Sequence, residues 1–411
     1  MIFASRGRKT VENKTAENLR YDYLLHATVK DSEDWGFMAP DLTNLPRDVP
    51  ALTDELLRLS ETWQASAENL QRYKAVNYAL AMEEWRLSTM DAHAMPISVQ
   101  INRDDHCNLK CAYCRPVGLT FPPGTFKTLP EDKWRPTVEA LLPAAVEFLP
   151  FCWGEPLLPN ARLWEACAAA RKFGVSIALI THMNSLDEVH TDLFVKHVSR
   201  ALISADTANP ERYRKLRAGG TLERVERNLD AVRLRSHELG TLMPWLGVSS
   251  VIMAQNLEDL PGLIDWAADN GLQGVYAGRL VAPVGIHSFA KDELVDLASA
   301  EYLDVFRACS QRSAARGIVL SMHDPENPIG ANRKCPCPWQ HAYVATDGGL
   351  SFCNFSREIV LDQLPLRPGF YHRDLVARRR KEWHDDPFFR CAGCQSTDYD
   401  GLPGVSQFRG Q

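Results

Sequence analysis

The stretch Ile97-Ser-Val-Gln-Ile-Asn102, followed at once by Arg-Asp-Asp-His-Cys107-Asn-Leu-Lys-Cys111-Ala-Tyr-Cys114, decides the fold. A short β-branched run leads directly into three cysteines spaced CxxxCxxC. Downstream, apolar runs recur that read as strands: Ala145–Leu149, Val175–Thr181, Arg200–Ser204, Leu246–Met253 and Gly274–Leu280. Helical patterns lie between most of them, the clearest over Thr221–Leu239, where Leu222, Val225, Leu229 and Val232 make one apolar stripe. Short strands alternating with helices predict an α/β fold with a parallel sheet. Six such units are too few to close an eight-stranded barrel, so the expectation is a partial (β/α)6 barrel. In parallel α/β folds the chemistry sits at the carboxyl ends of the strands, where the cysteines fall.

The chain has 411 residues, with 46 Lys+Arg against 52 Asp+Glu and a formal charge of -6. That length suits two or three domains. The slightly acidic balance argues against nucleic acid as a partner. No run reaches the roughly 18 apolar residues of a membrane span, and the charged opening MIFASRGRKT has no apolar region after it, so a cytoplasmic protein is expected. Three regions follow: a helical amino-terminal extension over 1–92, a core over 93–300, and a small carboxyl-terminal β-hairpin and helix domain over 301–411. Within the extension, Leu70, Tyr73, Val76 and Leu80 define an amphipathic helix, and the three prolines of Pro40–Pro50 mark a connection. Asp347-Gly348-Gly349 between Val344–Thr346 and Leu350–Phe352 reads as a hairpin turn, and Ser396–Gln411 as a loose tail.

Eleven cysteines, an odd number without a secretory leader, do not suggest a disulfide framework. They cluster, as thiolates must that converge on a metal or an iron–sulfur centre. Three ligands cannot close a four-iron cluster, so Cys107, Cys111 and Cys114 leave one iron open; a three-cysteine zinc site is the alternative from spacing alone. The later group, Cys335, Cys337, Cys353, Cys391 and Cys394, offers enough thiolates to close a centre completely, with a zinc knuckle as its bland alternative.

CxxxCxxC after the first strand, with Tyr113 before the third cysteine, resembles the radical SAM superfamily. The companion motifs fall in order over about residues 95–285. Gly154-Glu155-Pro156 resembles the segment that holds the amino group of S-adenosylmethionine, with Trp153 where the family has a further glycine. Ser204-Ala205-Asp206 is similar to the ribose-binding Ser-x-Asp, and the stretch from Glu211 to Leu229 looks like the family's usual helix entry. The resemblance implies a [4Fe–4S] cluster on Cys107, Cys111 and Cys114 whose open iron chelates S-adenosylmethionine. Reductive cleavage then yields a 5′-deoxyadenosyl radical that abstracts hydrogen from the substrate. It also implies contacts from Glu155 to the ammonium and from Asp206 to the ribose, and an arginine for the carboxylate, with Arg217 and Arg279 as candidates. A flavodoxin- or ferredoxin-type protein is the expected electron donor.

The order Cys335-Pro-Cys337-Pro-Trp339, hairpin, Cys353, then Cys391-Ala-Gly-Cys394 resembles the twitch or abbreviated SPASM extension of these enzymes. That resemblance implies an auxiliary [4Fe–4S] cluster on Cys335, Cys353, Cys391 and Cys394, with Cys337 as spare or alternative. Cys152 and Cys337 are candidate hydrogen-atom donors, although such thiols are more commonly small buried hydrophobes. Cys167 and Cys309 read as core. His182 reads as a base or a satisfied structural histidine, Trp85, Trp134 and Trp383 as core, and Arg378–Lys381 as a solvated helix face. The expected function is oxidation of a sugar, cyclitol or other natural-product pathway molecule through the auxiliary cluster, a dehydrogenation, with epimerisation through a cysteine hydrogen donor as a separate outcome. Peptide maturation is the alternative, weakened because the leader lacks the strands of a winged-helix peptide-binding domain. A non-catalytic zinc protein would need neither companion motif.

Overall fold

A computed structural model describes residues 40–114, 128–151, 153–158, 163–280, 292–323, 336–354, 361–366, 371 and 374–385. It opens with helices α1 (Val49–Thr62) and α2 (Ala67–Leu87). Asp48 caps α1 by accepting the Ala51 N–H at 2.9 Å, and Ser66 caps α2 through the Asn69 N–H at 3.0 Å, satisfying amide groups that a helix start leaves open. The expected stripe Leu70, Tyr73, Val76 and Leu80 is buried, packed with Leu52, Leu56 and Leu59 of α1 and with Ile97, Ala144 and Val146.

The core then follows as β1 (Ser98–Ile101), β2 (Lys110–Cys111), α3 (Glu131–Leu141), β3 (Glu147–Leu149), α4 (Leu163–Arg171), β4 (Ser176–Thr181), α5 (Glu188–His197) and β5 (Arg200–Ser204). It continues with α6 (Pro210–Leu216), β6 (Arg217–Ala218), α7 (Leu222–Glu238), β7 (Trp245–Ile252), α8 (Leu260–Asp269), β8 (Gly274–Arg279), α9 (Ala300–Arg316) and β9 (Val319–Ser321). Last come the single turn α10 (Cys337–Gln340), β10 (His341–Val344), β11 (Gly349–Ser351), β12 (Asp362–Gln363) and α11 (Asp374–Asp385). All six expected strands are present, parallel and adjacent in the order β1-β3-β4-β5-β7-β8. The sheet is the open, partial barrel that six units predict. β9 extends it on one edge, parallel to β8; its three residues are too short to stand out in the sequence.

The carboxyl-terminal hairpin joins the other edge. β10 runs parallel to β1, Ser98 opposite His341 and Ile101 opposite Val344, and β11 returns antiparallel. The core sheet is therefore continuous into the hairpin. Gly348 takes the turn at φ 89, which favours glycine. Side chains alternate across the sheet. Val99, Ile101, Phe148, Ile177, Leu179, Ala201, Ile203, Val248 and Val275 join the helices in the main core, so their neighbours in sequence face the barrel interior.

The helical extension sits at the amino ends of β1 and β3. The buried Lys74 amine donates to the carbonyls of Leu142, at 3.0 Å, and Ala145, and burial pushes its pKa down to about 7. Asn77 donates to the carbonyls of Met95 (3.0 Å) and Ala144 (3.1 Å), and the buried Glu84 accepts the His93 and Ala94 N–H groups. The described part of the extension, residues 40–92, thus braces the floor of the barrel at the end opposite the cysteine loop. Lys74→Met, which leaves two carbonyls without their donor, is expected to destabilise the fold by about 2–4 kcal/mol, read as a fall in urea midpoint.

Two further expectations resolve. Cys167, Cys309, Trp85 and Trp134 are buried as read. Arg378–Lys381 is not wholly a solvated face: Arg380 is 1% exposed and donates to the carbonyls of Pro338 (2.9 Å) and Met90 (3.3 Å). A guanidinium paired in this way ties α11 to α10 and to the extension. The side chain of Trp383 and the tail from Ser396 lie outside the described residues. Among the described residues no helix is long and apolar enough to cross a membrane.

A candidate cofactor site at the carboxyl ends of the strands

Beyond β1 the chain turns into a loop held by its own polar side chains. Asn102 donates to Asp105 Oδ1 at 2.6 Å and accepts the Trp153 N–H at 3.2 Å. Asp104 accepts the His106 N–H (2.7 Å) and the Thr128 hydroxyl (2.6 Å), and Asp105 Oδ2 accepts the Thr346 hydroxyl at 3.1 Å. The approach to the cysteines is thereby tied to the loop after β3 and to the tip of the hairpin.

Gly154 makes the closest approach. A Cβ at this position would lie 2.3 Å from the Asp104 carbonyl oxygen and 2.8 Å from that of His106, distances no side chain tolerates, so only glycine lets the two loops meet. The Glu155 N–H donates to the His106 carbonyl at 2.8 Å. The Glu155 carboxylate is 3% exposed and accepts from the Leu157 N–H (3.1 Å), the Thr181 hydroxyl (2.5 Å) and the His182 N–H (2.9 Å). Much of its accepting capacity is thus committed to binding the ends of β3 and β4 together; the sequence suggested a contact to a ligand ammonium. Pro156 follows it, buried, in the same turn.

His182 is the satisfied structural histidine. Its Nδ1 accepts the Asn184 N–H at 2.9 Å, and its Nε2 lies 2.9 Å from Asn108 Oδ1. Nε2 is therefore the donor, and burial lowers its pKa, which keeps the ring neutral. Asn108 in turn donates to Ser185 at 3.0 Å. Asn184 accepts the Thr221 N–H at 2.8 Å and donates to Tyr213 at 3.0 Å. The loop after β4 thus holds the residue next to Cys107.

The other side of the cysteine loop is held by a two-stranded clasp in which β2 pairs antiparallel with β6, Cys111 opposite Arg217. This clasp has no signal in the sequence, because both strands are only two residues long. It puts Arg217 Nη1 4.0 Å from Cys111 Sγ and Arg217 Nε 2.9 Å from Asp206 Oδ2. Tyr113 donates its hydroxyl to the same carboxylate oxygen at 2.5 Å, and Asp206 Oδ1 accepts the Val251 N–H at 2.9 Å. The Arg217 guanidinium also lies 5.6 Å from the centre of the Tyr113 ring. Burial pushes the Tyr113 phenol well above its ordinary value, so it remains a donor. Three residues suggested separately, the half-buried Tyr113 and the buried Asp206 and Arg217, are therefore one network beside Cys111. Ser204 is half-buried at the end of β5, and Arg279 is half-buried at the end of β8.

Cys107 and Cys111 are half-buried and Cys114 is exposed. Burial pushes the Cys111 thiol up to about 12, with Arg217 pulling against it and Cys114 and Cys107 adding to the rise, so both other sulfurs lie within electrostatic reach of Cys111. Among the described residues no three His, Cys, Asp or Glu side chains converge as single-ion ligands. The donor set, soft thiolates on one loop beside a buried cation, fits a cluster.

Of the second cysteine group, the described members Cys337 and Cys353 lie at the other end of the sheet. Cys337, 2% exposed, precedes β10, and Cys353, 6% exposed, follows the antiparallel β11, so both stand at the amino end of β10. Around them Tyr371 meets Phe352 at 6.5 Å and donates to the Pro338 carbonyl at 3.4 Å, and Trp339 donates to the Thr89 carbonyl at 2.7 Å. Cys152, Cys335, Cys391 and Cys394 lie outside the described residues.

Comparison with known proteins agrees with this geometry. The sequence model of the family described as "Radical SAM superfamily" matches residues 101–266. GTP 3',8-cyclase 1 of Pseudomonas aeruginosa is 25% identical over 305 residues, 72% of this chain and 87% of that protein. A probable GTP 3',8-cyclase of Methanococcus maripaludis is 29% identical over 175 residues, 42% of this chain and 56% of the relative's length. The crystal structure of Streptococcus suis SuiB superposes with a TM-score of 0.54 at 15% identity over 85% of each chain. anSMEcpe with bound AdoMet does so at 0.53 and 14%, covering 76% of this chain and 93% of the other. The two structures show a shared fold. Family match, fold and the order of motifs agree: the chain carries a radical SAM domain.

Proposed function

We propose that the protein is a radical SAM oxidoreductase that removes a hydrogen atom from a small molecule and completes the reaction through an auxiliary cluster. When bound and reduced, S-adenosylmethionine on a four-iron cluster supplies a 5′-deoxyadenosyl radical. Cys107, Cys111 and Cys114 would hold that cluster, with Gly154–Pro156, Ser204, Asp206, Tyr113 and Arg217 around the cofactor and Arg279 at the rim. Cys335, Cys353, Cys391 and Cys394 would hold the auxiliary cluster. The substrate hydrogen leaves as an atom, and loss of one electron and one proton from the remaining radical completes a two-electron oxidation. A flavodoxin- or ferredoxin-type protein would deliver the reducing electron at the exposed Cys114.

The observation that carries this reading is the strand pair β1/β10. Cys107 follows its carboxyl end, and Cys337 and Cys353 stand at its amino end, so Cys107 and these two cysteines lie beyond opposite ends of four paired residues, about 13 Å of strand. A small substrate inside the barrel reaches toward both. The relatives named GTP 3',8-cyclase support a small-molecule substrate over a peptide, and they set bond formation beside dehydrogenation as an outcome. Epimerisation would need a thiol near the cofactor. Cys337, buried beside Tyr371 at the far end, is poorly placed for that.

Iron, sulfide and zinc per chain after anaerobic reconstitution test the proposal. Wild type is expected to hold about eight irons and Cys353→Ala/Cys391→Ala about four. About four irons and one zinc in the wild type would end the role of an auxiliary electron acceptor.

A further inference from the structure

Arg380 places a positive charge inside the protein. It is 1% exposed, and its donors go to backbone carbonyls: Nε to Pro338 at 2.9 Å and Nη1 to Met90 at 3.3 Å. Nη2 has no hydrogen-bond partner among the described residues. The guanidinium lies 5.0 Å from the centre of the Tyr371 ring. Neutral carbonyls and an aromatic face orient a guanidinium without cancelling its charge. A cation that keeps its proton and is taken out of water in this way is costly unless negative charge stands nearby.

Two sources of negative charge lie on either side. The first is the buried Glu84 of α2, whose oxygens accept the His93 and Ala94 N–H groups at 2.6 and 3.0 Å rather than the guanidinium. Burial pushes its carboxyl up, with those two N–H groups and then Arg380 pulling it down, so Arg380 acts on it from a distance. The second is the pair of cysteines. Pro338, which accepts from Nε, follows Cys337 directly, and the Tyr371 ring meets that of Phe352, the residue before Cys353, at 6.5 Å. The Tyr371 phenol is pushed up by burial, pulled down by Arg380 and pushed further up by Cys337, so guanidinium and thiol both reach one ring. Two buried thiols beside a buried cation that no carboxylate neutralises in direct contact fit an anionic iron–thiolate centre.

We propose that Arg380 is the charge that suits the auxiliary centre to accept an electron, by raising its reduction potential. This rests on the oxidoreductase reading above. Four thiolates on a four-iron core leave about two negative charges. The electron from the substrate radical adds a third, while the proton of that radical leaves to solvent. In a low-dielectric interior the added charge is unfavourable, and a fixed cation beside the cysteines favours it. Met90 supplies one of the two carbonyls that aim the guanidinium, so the helical extension takes part in setting the potential.

The test is a dye-mediated redox titration of the anaerobically reconstituted protein, followed by electron paramagnetic resonance. The signal read is the one that added S-adenosylmethionine leaves unchanged. Arg380→Gln keeps an amide donor and removes the charge. Its reduced-to-oxidised ratio at the wild-type midpoint is expected to fall at least about tenfold, about 59 mV for one electron. Arg380→Lys keeps the charge and is expected to stay within about threefold of the wild type. Lys381→Gln, one residue along and exposed, is the control and should leave the midpoint in place, because water and salt screen it. If Arg380→Gln sheds the auxiliary irons while Arg380→Lys holds them at the wild-type midpoint, the charge is again what the centre requires, since both side chains donate. An unchanged midpoint in Arg380→Gln, equal shifts or equal iron loss in the glutamine and lysine variants, or an equal shift in Lys381→Gln overturns the inference. With about eight irons in the wild type, such a result ends this inference alone. About four irons and one zinc end the auxiliary-cluster reading with it.

Discussion

Cys111→Ala is expected to lose about four irons per chain and to lower formation of 5′-deoxyadenosine at least about a thousandfold, some 4 kcal/mol of barrier. Three thiolates already leave a four-iron cluster one ligand short, so a second vacancy removes the margin that holds it. Cys111 is also the most firmly positioned of the three: its strand pairs with Arg217, whose guanidinium reaches both Sγ and the Asp206 carboxylate. Losing this thiol therefore empties the place around which Tyr113, Asp206 and Arg217 are arranged. Iron analysis and chromatography of the nucleoside product check the result. A variant with full iron and full product would show that the CxxxCxxC loop is not the cofactor centre.

Gly154→Ala is expected to have nearly as large an effect without touching a ligand. The new Cβ meets two backbone oxygens of the cysteine loop, at 2.3 and 2.8 Å. Backbone atoms cannot rotate away as a side-chain end can. Relief requires moving Asp104 and His106, which breaks the Glu155–His106 backbone hydrogen bond and pulls on the hydrogen bonds to Thr128 and Thr346. A cost of about 2–4 kcal/mol in stability and at least about a hundredfold in product formation is expected, with reduced iron retention. Gly262→Ala in α8, where an added methyl meets nothing within 4 Å, is the control and should change neither. Equal behaviour of the two variants would mean that the loops do not depend on this contact.

Several side chains show where reading the chain stops. Tyr113, Asp206 and Arg217 were each visible as candidates, but their union depends on the two-residue clasp β2/β6, whose pairing no local pattern encodes. Glu155 was visible as part of a motif, yet its hydrogen bonds to Thr181 and His182 come from residues 26 and 27 positions away, at the end of β4. Arg380, in a run of charges, looked solvated until packing against Pro338 and Met90 buried it. The buried pair of Arg200 and Glu147 stayed hidden because the two residues lie 53 positions apart and meet across β4 only once the strands are in register.

What the sequence determined by itself was what short-range chemistry determines: the strand and helix periods, the cysteine spacing, and the glycine and acidic residues that recur just past strand ends. These are legible because each depends on neighbours a few positions apart. Only the tertiary structure decided that the hairpin continues the core sheet, that the helical extension supports the floor of the barrel, and which buried charges face one another. Those outcomes depend on which strand lies beside which and in what register. That is settled by burying the whole apolar surface at once, and no local stretch contains it.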